Sequence, residues 1–171
     1  MSANMSSRVE GFPAIASERS KALILGTMPS VVSLRTRQYY ANPRNFFWPI
    51  MGELFGAGRS LPYAERVEIL GSVGVALWDV LQVCVRPGSL DASITEEVAN
   101  DFPAFFAGHP SITHVFFNGA RAQTVFYRHV LPVLNKDRYI LTRLPSTSPA
   151  HAAMRPEAKT QAWSVLSLIH I

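Results

Sequence analysis

Short apolar segments alternate along the chain with longer segments whose apolar positions recur at helical spacing. The apolar segments end near Gly, Pro, Asn or Asp, and their nearly continuous apolar character is typical of strands buried on both faces of a parallel sheet. Four such strands are predicted, at residues 22–25, 74–81, 112–117 and 139–144.

Helices are predicted between and after these strands. In the first of them Phe47, Ile50, Met51 and Leu54 recur on one side. The predicted helices cover residues 45–55, 62–70, 95–106, 120–134 and 157–169. This alternation predicts βαβ units and an α/β fold, a three-layer α/β/α sandwich with a short, mainly four-stranded parallel sheet. We expect one domain over residues 1–171, with residues 1–20 as an N-terminal extension or helix.

Composition narrows the class of protein. The chain has 171 residues, 48% of them hydrophobic and 11% aromatic, which excludes a disordered protein. No apolar run approaches the roughly 20 residues that span a bilayer. Residues 1–10 lack a hydrophobic segment followed by a cleavage site, so we expect a cytoplasmic protein with no membrane association. Cys84 is the only cysteine, which excludes an internal disulfide and disfavours a cysteine-ligated metal site.

Charge leaves two interpretations open. The formal net charge is +4, and several arginines lie near two turn-rich loops. These arginines are Arg35, Arg37, Arg44, Arg143 and Arg155. Their distribution fits a polyanionic partner, but it also fits an ordinary solvated surface.

The segment 39–48 concentrates aromatic, amide and cationic groups where a turn enters a predicted helix. Asn45 at the helix start can cap the backbone, or its carboxamide can hold a water molecule by accepting and donating together. Tyr40 presents a ring on which a base can stack, although it can equally be a packing residue. Such a mixture suits a flat, uncharged ligand on a phosphate backbone.

Two polar loops follow predicted strands and therefore share the carboxyl edge of the predicted sheet, where open α/β folds bind ligands. In the first, backbone amides can donate to a carbonyl or phosphate, but a plain turn has the same pattern. Its residues are Gly26, Thr27, Met28, Pro29 and Ser30. The second, residues 144–151, offers the hydroxyls of Ser146, Thr147 and Ser148.

Other chemistry has little support in the sequence. The chain contains neither GxGxxG nor GxxxxGK, and its five histidines show no HExxH spacing. We therefore predict no metal and no cofactor. Asp79 can end a strand or orient a polar group, and no GxSxG motif supports a serine hydrolase.

Taken together, four motifs in this order resemble the uracil-DNA glycosylase superfamily, most closely its deoxyinosine (hypoxanthine) DNA glycosylase branch. The motifs are residues 26–30, residues 40–48, Phe117-Asn118-Gly119 and residues 144–151. The resemblance implies a four-stranded parallel sheet between helices. It also implies a metal-free, monofunctional enzyme that removes a deaminated base from double-stranded DNA, acting as a monomer.

The resemblance also implies roles for single residues. Asn45 matches the asparagine that positions the attacking water, and Tyr40 matches the aromatic residue on which the extruded base stacks. The Gly26 to Ser30 loop and Asn118 are expected to contact the base. The residues expected to contact DNA are Arg44, Arg143, Ser146, Thr147, Ser148, Ala150 and His151.

Two departures from the superfamily's motifs bear on specificity. Met28 stands where mismatch-specific uracil glycosylases have a water-positioning Asn or Asp, and a thioether cannot take that role. Leu144 begins the second loop where uracil-specific enzymes have His, while His151 lies at its other end. Both departures disfavour efficient uracil excision, and the second also disfavours a cationic histidine aimed at a uracil oxygen. Hypoxanthine as the preferred base is what the resemblance to the deoxyinosine branch implies.

Three alternatives remain open. The first is the same fold with a preference for uracil, xanthine or a mismatched pyrimidine. The second is a nucleic-acid-binding protein on this fold without catalysis, and the third is an α/β hydrolase or phosphate-ester enzyme with no DNA role.

Overall fold

The computed structural model describes residues 8–169, and its larger sheet consists of four parallel strands. These strands are β2 (Ala22–Gly26), β3 (Val75–Asp79), β6 (His114–Asn118) and β7 (Ile140–Leu144), in the order β3-β2-β6-β7. The central strand β2 is buried along its whole length, as expected for an apolar segment covered on both faces. The predicted parallel sheet is therefore confirmed.

Six α-helices accompany this sheet in the described residues. They are α1 (Val31–Thr36), α2 (Phe47–Phe55), α3 (Tyr63–Ser72), α4 (Phe102–Gly108), α5 (Ala120–His129) and α6 (Pro156–Trp163). Alternate residues of β2 enter two separate cores, Leu23 and Leu25 with α4 and α5, and Ile24 with α2, α3 and α6. Helices thus cover both faces of the sheet, which confirms the three-layer α/β/α sandwich. No helix of the described part is long and apolar enough to cross a membrane.

A second, antiparallel sheet was not predicted. It has the order β1-β4-β5 and consists of β1 (Arg8–Glu10), β4 (Leu81–Val85) and β5 (Thr95–Ala99). The predicted strand 74–81 is two strands, because the chain leaves the parallel sheet at Val80. There the amide of Val80 donates to the Gly26 carbonyl at 2.8 Å, and that of Leu81 to the Thr27 carbonyl at 3.1 Å.

Three helix predictions were wrong in part. The predicted helix 95–106 begins as β5, and helix α4 starts only at Phe102, where Asp101 Oδ1 accepts a hydrogen bond from the Ala104 amide at 3.1 Å. The predicted helix 120–134 ends at His129, ahead of a 3-10 turn that contains Pro132. The predicted helix 157–169 ends at Trp163 and continues as a 3-10 turn over Ser164–Leu168. Residues 8–20 form a strand and turns, and residues 1–7 lie outside the described part. The single domain over 1–171, with residues 1–20 as an extension or helix, stays a prediction.

The carboxyl ends of the parallel strands meet at one edge of the sheet. Gly26 at the end of β2 pairs with Asp79 at the end of β3, and Asn118 at the end of β6 pairs with Leu144 at the end of β7. The two polar loops follow β2 and β7, so the fold brings them together at this edge, as the sequence predicted.

Candidate active site

A pocket of about 320 Å³ opens at this edge of the sheet. Its volume lies at the lower end of the roughly 300–1,000 Å³ of ligand pockets. Thirteen of the fifteen residues predicted for the site line it: Gly26, Thr27, Met28, Pro29, Ser30, Tyr40, Asn45, Asn118, Ser146, Thr147, Ser148, Ala150 and His151. Arg44 and Arg143 are exposed and lie outside the pocket lining, on the turn before α2 and on β7.

Seven further residues of the lining were not predicted as site residues: Ser33, Tyr39, Asn42, Asp79, Ser89, Leu90 and Asp91. Asp79 carried a signal in the sequence, since a carboxylate ends an apolar strand at the edge that binds ligands. Ser89 to Asp91 belong to the connection between β4 and β5. The local sequence could not predict that this connection lies at the pocket, because the sequence of β5 was interpreted as part of a helix.

Asn45 is held in one orientation. Its side-chain Oδ1 accepts a hydrogen bond from the Phe47 backbone amide at 2.9 Å, and its backbone amide donates to the Asn42 carbonyl at 2.9 Å. The next amide, that of Phe46, donates to the Thr147 carbonyl at 2.9 Å and so joins this turn to the second loop. A carboxamide oxygen has two lone pairs, so a fixed Oδ1 can also accept from a water molecule. Capping and water binding are therefore compatible.

Tyr40 lies over the helix start in a strained backbone conformation. Its φ is 54°, in the left-handed region that costs a non-glycine residue on the order of 1–3 kcal/mol. Its ring stacks on that of Phe47, with centroids 4.0 Å apart and an angle of 24° between planes. Phe47 thus covers one face of the ring, and a base could stack only on the other.

Gly26 lets two polar groups approach the end of β2. A Cβ atom at this position would lie 2.6 Å from Asp79 Oδ1 and 3.3 Å from the Tyr40 hydroxyl oxygen. Only glycine leaves room for this arrangement, which places both groups beside the Gly26 backbone.

Asp79 and Tyr40 present buried polar atoms that are not satisfied. Asp79 Oδ2 and the Tyr40 hydroxyl make no hydrogen bond of good geometry within residues 8–169, although the Asn118 carboxamide lies close enough to the Tyr40 hydroxyl to lower its pKa against the larger effect of burial. Burial, and then the nearby Asp91 carboxylate, raise the pKa of Asp79 to about 7, although Arg86 opposes the shift. Burial also raises the pKa of Tyr40, which stays protonated. Buried polar groups without partners in a pocket are expected to find them in a ligand.

The raised pKa of Asp79 predicts a pH-dependent stability. The unfolded residue titrates near about 3.9. The contribution of Asp79 to stability is therefore fully present below about pH 4 and is lost as the pH rises to about 7. We expect the free energy of unfolding of wild type, minus that of Asp79→Asn, to fall between pH 4 and 7 and then level off. Urea titrations across this range measure it, and a constant difference would contradict the raised pKa.

Asn118 positions the second loop. Its Nδ2 donates to Thr147 Oγ1 at 2.9 Å, and its Oδ1 accepts from the Thr147 amide at 2.9 Å. Helix α6 holds the same loop, because Trp163 Nε1 donates to the Pro145 carbonyl at 2.9 Å and Lys159 Nζ to the His151 carbonyl at 2.7 Å. Asn118 lines the pocket, as predicted for a base contact, but both ends of its carboxamide already bind Thr147.

The comparisons with known proteins identify the family. Residues 12–167 match the uracil DNA glycosylase superfamily. The chain belongs to the uracil-DNA glycosylase superfamily. This superfamily member is 36% identical over 142 residues to the hypoxanthine DNA glycosylase of Methanosarcina acetivorans. The aligned region makes up 82% of this chain and 87% of that relative. It is also 35% identical over 133 residues to the hypoxanthine DNA glycosylase of Methanosarcina barkeri, and the aligned region makes up 77% of this chain and 83% of that relative.

A solved structure shares the fold of this superfamily member. It is the solution NMR structure of a Methanosarcina acetivorans protein provisionally described as a uracil DNA glycosylase. The TM-score is 0.77 at 32% sequence identity, over 93% of this chain and 98% of the other. The resemblance drawn from the four sequence motifs is therefore confirmed, and a hydrolase or phosphate-ester enzyme outside the superfamily is excluded.

Proposed function

We propose that the protein is a monofunctional DNA glycosylase of base excision repair that hydrolyses the N-glycosidic bond of deoxyinosine in duplex DNA. One observation carries the proposal. The Asn45 carboxamide, which is held by the Phe47 amide, shares one pocket with buried oxygens of Asp79 and Tyr40 that make no hydrogen bond of good geometry in the described part of the chain. The two hypoxanthine DNA glycosylases among its relatives support the choice of base. That the enzyme acts as a monomer in the cytoplasm stays a prediction from the sequence.

The chemistry of Asp79 suits the edge of hypoxanthine. That edge carries an N1–H donor beside the O6 acceptor. A neutral carboxyl group offers an acceptor beside an O–H donor, so it can pair with both positions at once. With a pKa of about 7, Asp79 is protonated in a large fraction of molecules at neutral pH. The Tyr40 hydroxyl supplies a second donor nearby.

Hydrolysis needs a water molecule and a stabilised leaving group. As the bond between C1′ and N9 breaks, its electrons pass to the base. Donors from Asp79, Tyr40 and the Gly26 to Ser30 loop would then stabilise the departing anion. The water bound to Asn45 Oδ1 adds its oxygen to C1′ and releases one proton, which the solvent returns to the departed base. Asn is a poor base, so its contribution is the position of the water.

Base extrusion precedes this step. It costs a few kcal/mol, and least where pairing is already weak, as in an inosine-containing mispair. We expect the exposed arginines beside the two loops, Arg44 and Arg143 among them, to contact the phosphate backbone. Ser146, Ser148, Ala150 and His151 would approach the strand at the mouth of the pocket.

Met28 argues against uracil as the main substrate. Met28 belongs to the loop that lines the pocket, but its side chain is buried in the core formed with α4 and α5, so the first loop has no amide or carboxylate at the position where a water-positioning group would be needed. A related enzyme that prefers uracil, xanthine or a mismatched pyrimidine is the second candidate, because the edges of uracil and xanthine also carry an N–H donor beside a carbonyl.

Product analysis tests the proposal. A duplex with one deoxyinosine is incubated with purified protein in chelator, and the released base is identified by mass spectrometry. We expect free hypoxanthine, and a DNA strand that stays intact until alkali cleaves it at the abasic site. A protein that binds this duplex but releases no base would instead be a binding protein on this fold. Strand cleavage without alkali would contradict the monofunctional mechanism.

A further inference from the structure

Arg59 binds the backbone of the turn that carries Asn45. It lies in the connection between α2 and α3, and its guanidinium donates to three carbonyl oxygens. The bonds are 2.9 Å from Nη2 to the Asn42 carbonyl, 2.5 Å from Nη1 to the Pro43 carbonyl and 2.5 Å from Nη2 to the Asn45 carbonyl. One side chain thus fixes three carbonyls within four residues of sequence.

The turn is held on its other sides by bonds already described. The Asn45 amide donates to the Asn42 carbonyl, and the Phe46 amide donates to the Thr147 carbonyl. Asn45 precedes α2 and has no helical hydrogen-bond ladder to fix its backbone. The direction of its carboxamide therefore depends on this turn, and Arg59 supplies three of the hydrogen bonds that define it.

Arg59 does not take part in a salt bridge within residues 8–169. If its N–H groups donated to carboxylates, charge pairing at the surface would explain this arginine. Here the three acceptors are main-chain carbonyl oxygens, which the rigid, planar guanidinium binds together, and a lysine ammonium cannot reproduce that geometry.

We propose that Arg59 is a positioning residue for base release, holding the Asn42 to Asn45 turn so that the Asn45 carboxamide presents the attacking water. The inference rests on the proposed function. Small displacements of a catalytic group carry a large cost, up to ~10²-fold for about 1 Å. Because the other bonds of the turn remain, we expect Arg59→Ala to lose ~10-fold in single-turnover rate at saturating enzyme.

A different role for Arg59 predicts different results. As an exposed cation near the DNA-facing edge, it could bind a phosphate. Its loss would then weaken DNA affinity and reduce the salt dependence of binding by about 0.9 logarithmic units per decade, with an unchanged rate at saturation. A positioning role instead lowers the rate at saturation and leaves affinity and salt dependence at their wild-type values.

The test is a double-mutant cycle on a deoxyinosine duplex. Arg59→Ala, Asn45→Ala and the double variant are compared in single-turnover rate, and DNA affinity is measured by fluorescence anisotropy at two salt concentrations. Arg59→Lys tests whether the planar guanidinium geometry is needed, and we expect its single-turnover rate to be close to that of Arg59→Ala. Arg138→Ala is the matched control, because Arg138 is exposed and precedes β7 at the opposite end of the strand.

We expect Arg59→Ala to be slow in the wild-type background and to cause no further loss in the Asn45→Ala background. Equal losses in both backgrounds, or a loss of affinity with a normal rate, would overturn the inference. Arg59→Gln, which keeps part of the side chain and an amide donor, replaces Arg59→Ala if thermal melting shows the latter unfolded. Wild type that releases no base would refute the proposed function itself, whereas an active Arg59→Ala beside an inactive Asn45→Ala refutes only the role of Arg59.

Discussion

Asn45→Ala is expected to slow hypoxanthine release by ~10²-fold or more under single-turnover conditions, the scale seen when one group that acts in the transition state is removed. The alanine removes Oδ1, the atom proposed to hold the attacking water. DNA affinity should stay close to that of wild type, because Asn45 lies inside the pocket and the proposed phosphate contacts are elsewhere. Quenched-flow or manual sampling at enzyme excess measures the rate, and anisotropy measures the affinity.

The same substitution also removes the bond from the Phe47 amide to Oδ1. Loss of such a helix-start contact lowers the free energy of unfolding by about 1 kcal/mol. The melting temperature of the variant is therefore measured to show that it stays folded at the assay temperature. Asn135→Ala is the matched control, since Asn135 is exposed and lies outside the pocket lining. Asn45→Asp should retain more activity than Asn45→Ala, because it keeps an oxygen at this position. Unchanged release by Asn45→Ala would remove Asn45 from the mechanism.

Asp79→Ala and Asp79→Asn are expected to differ widely. Asp79→Ala removes both the donor and the acceptor proposed to pair with the base, and we expect a loss of ~10²-fold in kcat/KM, as for other preorganised donors to developing charge. Asp79→Asn keeps a neutral acceptor beside a donor and should retain most of the activity. Both variants are measured on the same deoxyinosine duplex. A matched duplex with deoxyadenosine in place of deoxyinosine is the specificity control.

The pH dependence separates the two protonation states of Asp79. If the neutral carboxyl group pairs with the base, kcat/KM of wild type falls as the pH rises through about 7, while Asp79→Asn stays level over the same range. If Asp79 acts as a carboxylate, activity rises with pH instead, and Asp79→Asn is as defective as Asp79→Ala. The second pattern would contradict the proposed base recognition.

The parallel sheet could be predicted because most of its strands are nearly continuous apolar segments, and β2 is apolar and buried along its whole length. The antiparallel sheet could not be predicted in this way. β4 continues the apolar run of β3, so the break at Val80 depends on its hydrogen bond to the Gly26 carbonyl, a long-range contact. β5 is largely exposed and contains two glutamates, so its local sequence resembles a helix.

Much of the candidate site was predicted because its residues follow strands whose carboxyl ends meet at one edge. Asp79 was visible there too, but a sequence does not report that its side chain is buried beside Gly26 and Tyr40, with an Oδ2 that accepts no hydrogen bond from residues 8–169. Arg59 gave no signal, because its three acceptors are main-chain oxygens. Asn118 was predicted to contact the base, and the structure places Thr147 on both ends of its carboxamide.

The central claim is that Asn45 directs hydrolysis of a deaminated purine. The most direct measurement is single-turnover base release from four matched duplexes that carry deoxyinosine, deoxyuridine, deoxyxanthosine or no lesion, with wild type and Asn45→Ala side by side. We predict fastest release of hypoxanthine by wild type, none from the undamaged duplex, and a loss of ~10²-fold or more in the variant. Faster release of uracil than of hypoxanthine, or equal rates for wild type and Asn45→Ala, would contradict the account.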